Sequence, residues 1–227
     1  MAGHDGDRSH RNVGKAEGIA MGFYGDRVLP RIIHVACGNK QMDPLRKRVC
    51  SGLSGDVVEI GFGSGTNIPF YPTAVTKVVA VEPSDLAWEL AEERLRHSAV
   101  PVERSGSDGQ QLPFADDTFD AALSTWTLCT IPDAALALRE MRRVLRPGGT
   151  FHFVEHGLAP DEKVRRRQRR LEPVHRALLG GCHLTRPIVE MVAGAGFDIA
   201  VVETFYEEVG PKYAGATSLG SALKSGT

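Results

Sequence analysis

This 227-residue sequence has no marked excess of charge of either sign, because its 27 basic and 28 acidic side chains leave a formal net charge of −1. With so small a net charge, no overall field favours nucleic acid or an anionic membrane. The sequence also has no apolar run approaching the roughly 20 residues of a membrane span, and its first residues lack the apolar stretch of a secretory signal. These absences predict a cytoplasmic protein that does not bind nucleic acid.

The cysteine spacing that is typical of zinc and redox motifs is also lacking. The four cysteines are scattered along the chain, at Cys37, Cys50, Cys129 and Cys182. We interpret them as reduced, mostly buried thiols. On this evidence we expect no metal ion.

Large apolar side chains are scarce in residues 1–20, which are rich in Gly, His, Asp and Arg. Such a segment cannot bury enough surface to offset its loss of conformational entropy, so we expect a mobile arm. The chain as a whole is 42% hydrophobic and 24% charged, as is usual for a globular protein. Its length suits one core, which predicts a single domain over residues 21–222.

A glycine-rich turn is the most informative feature that is present. Residues 57–60 predict a short buried strand, and Gly61, Gly63 and Gly65 follow at alternate positions. Glycine has no Cβ and adopts positive φ without strain, so a ligand can approach this backbone closely. In doubly wound α/β sheets, ligands bind at such turns, outside the carboxyl ends of the strands.

The spacing of these glycines separates two classes of cofactor. A dinucleotide fingerprint has the form G-x-G-x-x-G, whereas Gly65 comes one position early and Thr66 takes the dinucleotide position. Glu59 places a carboxylate two residues before the first glycine, which suits a cation better than a pyrophosphate. A nicotinamide dinucleotide therefore remains only as the alternative.

Strands and helices alternate after this turn. Further strands are predicted over residues 77–82, 101–105, 119–124, 150–155, 198–204 and about 212–219. The alternation predicts an α/β fold with a mostly parallel sheet and helices on both faces. Ser84 is a good N-cap for the helix after the second strand. Glu82 and Asp108 follow the second and third strands, and parallel strands bring such residues to one edge of the sheet.

Several short motifs together resemble one enzyme family. Residues 57–65, Val81-Glu82-Pro83, residues 108–114 and Leu145-Arg146-Pro147-Gly148-Gly149 are similar to motifs of the small-molecule class I S-adenosylmethionine-dependent methyltransferases. The ubiquinone and menaquinone biosynthesis enzymes are familiar members, and the match covers residues 56–155. A second set of motifs more closely resembles the methyltransferase-like thiol methyltransferases: Pro69-Phe70-Tyr71-Pro72, Thr127-Leu128-Cys129, Val154-Glu155-His156 and Gly181-Cys182-His183-Leu184-Thr185-Arg186.

This resemblance implies a Rossmann-like sheet of seven strands with the last strand antiparallel, an amino-terminal helical cap, and S-adenosyl-L-methionine as cofactor with S-adenosyl-L-homocysteine as product. The residues that would contact the cofactor are, by position, Glu59, Gly61, Gly63, Gly65, Glu82, Pro83, Ser84, Asp108, Gly109, Ser124 and Thr125. The first four would hold the methionine part, the next three the ribose and adenine, Asp108 and Gly109 the adenine edge, and the last two would lie under the methionine. Taken alone, Asp108-Gly109 is more typical of a tight turn than of a cofactor contact.

Two helical lid segments, residues 23–50 and 161–195, are predicted to close over this edge of the sheet. We place Tyr24, Trp126 and His183 in the substrate pocket. Seven basic side chains lie between residues 163 and 176, beside a narrow apolar stripe. This pattern indicates either a weak contact with an anionic membrane or an ordinary solvated helix face.

The resemblance implies transfer of a methyl group to a small acceptor that is apolar, aromatic or a thiol. His156 is the candidate general base, because histidine titrates near neutral pH, and a structural hydrogen bond at the strand end is the alternative. Two other functions stay open: a non-catalytic cofactor-binding or membrane-surface module, and a nicotinamide-dependent enzyme. The sequence does not distinguish a monomer from a dimer.

Overall fold

A computed structural model describes residues 39–105, 108–208 and 210–226 of the chain. Its centre is a seven-stranded sheet with the order β3-β2-β1-β4-β5-β7-β6. The strands are β1 (Gly55–Ile60), β2 (Val75–Val81), β3 (Val102–Ser105), β4 (Phe119–Thr125), β5 (Leu145–His156), β6 (Asp198–Tyr206) and β7 (Ala216–Leu223). The pairs among β1 to β5 are parallel, whereas β7 runs antiparallel to both β5 and β6. The predicted fold class is confirmed.

Five helices connect and cover these strands in the described part of the chain. They are α1 (Asp43–Cys50), α2 (Asp85–Arg96), α3 (Ala134–Val144), α4 (Glu162–Leu178) and α5 (Ile188–Gly194). The Ser84 side chain accepts a hydrogen bond from the Ala87 amide at the start of α2, which confirms the predicted N-cap. The predicted arm at residues 1–20, residues 23–38 of the predicted lid segment 23–50, and Tyr24 lie outside the described residues.

Strand β1 shows why both faces of the sheet need helices. Val58 and Ile60 belong to the same buried cluster as Met141 of α3. Val57, whose side chain points to the other face, belongs with Val49 of α1 to a second cluster. A parallel strand that is apolar on both sides can be stable only between two layers of helices.

Strand β5 begins earlier than the sequence indicated. Helix α3 ends at Val144, and the strand starts directly at Leu145. The glycines are part of the strand because Gly148 donates to the Lys224 carbonyl at 2.8 Å and the Lys224 amide donates to Gly149 at 2.9 Å. Hydrogen bonds to a residue near the far end of the chain thus hold this segment, in which Gly148 has a positive φ of 79°, against the sheet. Local sequence cannot reveal such a contact.

Helices α4 and α5, which share the predicted lid segment 161–195, differ in their surroundings. Ile188 and Val192 of α5 lie in the main core cluster. Helix α4 instead leaves Val174 and Leu178 exposed at 59% and 62%. In the described part of the chain, no helix is both long and apolar enough to cross a membrane.

The core contact between α3 and the sheet gives a direct test of this packing. Met141 is fully buried, so Met141→Ala should lower the free energy of unfolding by about 2–5 kcal/mol through lost contacts and a new cavity. Urea denaturation measures the change. Arg139→Ala on the exposed side of the same helix is the control, with an expected change within about 0.5 kcal/mol. Equal effects of the two substitutions would contradict the placement of α3.

Candidate functional site

The parallel strands bring their carboxyl ends to one edge of the sheet. Ile60, at the end of β1, pairs with Val81 of β2 on one side and with Ser124 of β4 on the other. Thr125 in turn pairs with Val154 of β5. The ends of these four strands and the segments that follow them therefore meet. The predicted cofactor residues that lie there are Glu59, Gly61, Gly63, Gly65, Glu82, Pro83, Ser84, Ser124 and Thr125.

The glycine turn after β1 is packed at both ends and open in the middle. All three glycines have positive φ, 71° at Gly61, 57° at Gly63 and 71° at Gly65. A Cβ on Gly61 would lie 2.1 Å from Thr127 Oγ1, and one on Gly65 would lie 2.8 Å from Ile68 Cδ1. On Gly63 it would meet only the Gly61 carbonyl oxygen, at 3.9 Å. A ligand can therefore reach the backbone at Gly63.

Glu82, directly after β2, lies against the open part of this turn. Its carboxylate accepts hydrogen bonds from the amides of Gly63 and Ser84, both at 2.8 Å. The residue is only 8% exposed, and burial raises its pKa in spite of the bonds from Ser84 and Gly63. The structure thus brings Gly63, Glu82 and Ser84 together, as the sequence predicted.

Glu59, near the end of β1, belongs to a buried polar network. Its carboxylate accepts hydrogen bonds from Asn67 Nδ2 at 2.9 Å and from the Tyr71 hydroxyl. Asn67 also accepts from Arg46 of α1 at 2.7 Å and donates to Thr125 Oγ1 at 3.0 Å. Burial raises the pKa of Glu59 to about 7, against these hydrogen bonds and the Arg46 charge. Its predicted contact with the cofactor stays a prediction.

The loop after β4 is held by a carboxylate that the sequence analysis did not assign. Glu155 of β5 is fully buried and accepts hydrogen bonds from Ser124 Oγ at 2.7 Å and from the amides of Thr127 at 3.0 Å and Cys129 at 3.3 Å. Burial raises its pKa, and these bonds oppose the rise. The one acid of β5, directly after the apolar Phe153 and Val154, was the available signal for this role.

Ser124, near the end of β4, and Trp126, in the loop after it, differ in their surroundings. The Ser124 hydroxyl is fully buried and donates to Glu155, and its predicted contact with the cofactor stays a prediction. Trp126 has a positive φ of 49°, an uncommon and strained conformation for a residue with a Cβ. Its ring lies 4.8 Å from the Arg46 guanidinium, and its Nε1 donates to Glu207 at 3.3 Å.

The three residues Asp108, Gly109 and Pro83, which are predicted to contact the adenine part of the cofactor, differ in exposure. Asp108 is exposed and accepts hydrogen bonds from the amide and the side chain of Gln110, which is the turn geometry that its sequence also suggested. Gly109 is buried, and a Cβ there would lie 2.6 Å from Ile60 Cγ2, so glycine is needed for packing at the end of β1. Pro83 is exposed. The adenine contacts of these residues stay predictions.

His156 and His183 both have carboxylate neighbours. His156 Nε2 lies 3.6 Å from Glu207 Oε1, and His183 Nδ1 lies 2.9 Å from Glu172 Oε1. Burial lowers the pKa of His156, but hydrogen bonds with Cys182 and Glu207 outweigh it and raise the pKa. The role of His156 as general base stays a prediction, with a structural hydrogen bond as the alternative.

A sheet of this order, with an antiparallel strand between β5 and β6 and an open glycine turn after β1, defines the class I S-adenosylmethionine-dependent methyltransferases. The residues present fit that cofactor. The uncovered backbone at Gly63 admits a close ligand, and the neighbouring Glu82 carboxylate suits two ribose hydroxyl donors.

Comparisons with known proteins agree with this class. Residues 58–153 match the family described as "Methyltransferase domain". Thiol S-methyltransferase TMT1A of Homo sapiens is 32% identical over 173 residues, which cover 70% of each chain. Thiol S-methyltransferase TMT1B of Rattus norvegicus is 34% identical over 160 residues, which cover 67% of this chain and 64% of that relative. A solved SAM-dependent methyltransferase from Methanosarcina mazei superposes with a TM-score of 0.61 at 21% identity, covering 75% of this chain and 92% of that one. The chain belongs to the S-adenosylmethionine-dependent methyltransferase family.

Two glycine substitutions separate the ligand-binding and packing roles of the turn. Gly63→Ala and Gly65→Ala both incur the cost of positive φ, about 1–2 kcal/mol. Only the Gly65 Cβ also meets neighbouring side chains, whereas the Gly63 Cβ projects into open space. We expect Gly63→Ala to weaken S-adenosylhomocysteine binding roughly tenfold or more, about 1.4 kcal/mol, and Gly65→Ala to lose more stability. Calorimetry and thermal denaturation measure the two effects, and unchanged binding by Gly63→Ala would contradict the open turn.

The raised pKa of Glu59 predicts a pH dependence of cofactor binding. Arg46, Asn67, Tyr71 and Cys50 are the polar groups around it. If the cofactor ammonium binds to the ionised carboxylate, the affinity for S-adenosylhomocysteine should rise roughly tenfold between about pH 5.5 and pH 7, because ionisation is complete only above the pKa of about 7. Glu59→Gln should remove this slope.

Stability has the opposite pH dependence, which serves as an internal control. A raised pKa in the folded state favours the neutral carboxyl, so the contribution of Glu59 to stability is fully present below its ordinary pKa of 4.5 and is lost as the pH rises through about 7. A stability slope without an affinity slope would assign Glu59 a purely structural role.

Proposed function

We propose that this protein transfers the methyl group of S-adenosyl-L-methionine to a small apolar thiol. The observation that carries the proposal is the uncovered backbone of Gly63 next to the buried Glu82 carboxylate, in a chain that belongs to the methyltransferase family. The relatives named as thiol S-methyltransferases support the choice of a thiol over other acceptors.

Each predicted contact has a role in this proposal. Glu82 accepts hydrogen bonds from the ribose hydroxyls, and Gly63 provides the backbone on which the ligand rests. Glu59 balances the cofactor ammonium, directly or through its Asn67 neighbour. The cofactor supplies an activated methyl group on a sulfonium, which leaves as a neutral thioether and needs no acid.

Alignment and exclusion of water are the tasks left to the protein. Holding the acceptor in line with the methyl carbon is worth up to about 7–11 kcal/mol of barrier in favourable cases. Trp126, fixed by Glu207 and Arg46, provides a rigid apolar wall near the turn. We propose that the described parts of the predicted lid, residues 39–50 and 161–195, close over the site, and we retain a single domain over residues 21–222.

The proposal also covers the location of the enzyme in the cell and its partners. We propose a cytoplasmic protein that contacts anionic membranes weakly through α4, where Val174 and Leu178 are exposed beside several arginines. Peripheral binding of this kind depends on apolar area and on basic side chains together. We propose a small-molecule acceptor and no nucleic-acid partner.

A screen with labelled methyl donor tests the function. Apolar thiols should be methylated, and phenols, quinols and amines of similar size should react at least about tenfold more slowly, a difference of roughly 1.4 kcal/mol in the barrier. Calorimetry with S-adenosylhomocysteine and NAD side by side provides the control for cofactor class. Binding of NAD alone would favour a nicotinamide enzyme. Cofactor binding without turnover on any acceptor would favour a non-catalytic module.

A further inference from the structure

Three segments that are distant in sequence bring two thiols and an imidazole together. Cys129 lies in the loop after β4, His156 ends β5, and Cys182 lies in the loop between α4 and α5. One ligand atom from each residue lies within 4.8 Å of the other two. Cys129 and Cys182 are 1% and 7% exposed. The proposed function uses neither thiol.

Backbone hydrogen bonds fix the two cysteine loops against each other. The His183 amide donates to the Cys129 carbonyl at 2.7 Å. Arg186 extends the contact by donating to the carbonyls of Leu128 and Pro132. On the other side, the Cys129 amide donates to the buried Glu155 carboxylate. The positions of the two thiols are thus set by the fold.

The donor set suits a soft divalent ion. Thiolate and imidazole ligands favour zinc, with bond lengths of about 2.3 Å to sulfur and about 2.0–2.1 Å to nitrogen. Tetrahedral ligands at these lengths are roughly 3.5–3.8 Å apart, which small side-chain rotations can reach from the observed spacing. Glu207 lies 3.6 Å from His156 Nε2, and a carboxylate on the second ring nitrogen is the usual partner of a metal-bound histidine.

The number of ligands distinguishes a catalytic from a structural site. Structural zinc sites have four protein ligands, whereas catalytic sites have three and leave one position for water or substrate. The cluster provides three. It also adjoins the proposed methyl donor site, because Trp126 of the same loop has its ring centre 6.3 Å from that of His156, and Thr127 contacts the glycine turn at Gly61.

We propose that Cys129, His156 and Cys182 bind a zinc ion whose open position takes the sulfur of the acceptor thiol. This inference rests on the proposed function, and it replaces the expectation from sequence that the protein needs no metal. It assigns the task of activating the thiol to a metal and not to His156 as a base.

The proposed step balances in atoms and charge. The acceptor thiol loses its proton to solvent when its sulfur binds the ion as a thiolate. A lone pair of that sulfur forms the new bond to the methyl carbon while the bond from the methyl carbon to the sulfonium sulfur breaks, and the electron pair stays on the leaving thioether. The methylated product is a neutral thioether, a much weaker ligand than a thiolate, and water replaces it.

Metal content gives the first test. The full-length protein, produced with zinc in the medium and passed through a desalting column, should retain about one zinc per chain by elemental analysis. Cys129→Ser and Cys182→Ser should each lower this to less than about a tenth, since each removes one of three ligands. Cys50→Ala, a buried cysteine outside the cluster, should retain the metal. Zinc below about a tenth per chain in the unsubstituted protein would overturn the proposal.

Cobalt substitution tests the open position without relying on variants that fold. Cobalt added to the metal-free protein should produce a thiolate-to-cobalt absorption band, and an apolar thiol substrate should shift it. A band that no thiol changes would overturn the substrate role, and a Cys129–Cys182 disulfide found in the unreduced protein by mass spectrometry would overturn the site.

Binding of S-adenosylhomocysteine separates this proposal from the proposed function. Cys129→Ser and Cys182→Ser should bind it with affinity within about threefold of the unsubstituted protein, while the rate of thiol methylation falls at least about a hundredfold. Full thiol methylation after removal of zinc would overturn the zinc proposal and leave the methyltransferase function intact. Zinc binding in a protein that ignores S-adenosylhomocysteine would overturn the methyltransferase function, and with it the role of the metal in methyl transfer.

Discussion

The buried carboxylate of Glu155 is the contact on which both sides of the proposed site depend. An ionisable group without access to water is costly unless hydrogen bonds satisfy it, and the loop after β4 provides those bonds through Ser124 and the amides of Thr127 and Cys129. The loop therefore has little freedom to move away from the end of β5. Its conformation determines what the neighbouring segments can contact.

That conformation acts in two directions. Toward β1, it places Thr127 against Gly61, so that the first residue of the turn must be glycine. Toward β5, it holds Cys129 beside His156 and Cys182. The positive φ of Trp126 belongs to the same arrangement, since strained backbone persists only where its surroundings impose it. One buried acid thus connects the cofactor side of the site to the thiol cluster.

Much of the fold could be predicted because its signals are local. The apolar runs of β1 and β2, the glycine turn and the Ser84 cap are each readable within a few residues, and the structure confirms them. The start of β5 could not be predicted, because hydrogen bonds with the distant Lys224 hold Gly148 and Gly149 in the strand. Pairing between distant segments has no local signature.

The same distinction holds for the site. The sequence by itself indicated the class of cofactor through a resemblance. The spacing of Gly61, Gly63 and Gly65 disfavours a dinucleotide, and together with Glu82 at the next strand end it is similar to the methyltransferase motifs, which are short and local and need no further context. Only the tertiary structure decided that Glu59 lies in a network behind the turn and that Cys129 and Cys182 meet. These outcomes depend on which side chains the fold buries together, and side chains 53 positions apart in the sequence come into contact only when the sheet and its loops are complete.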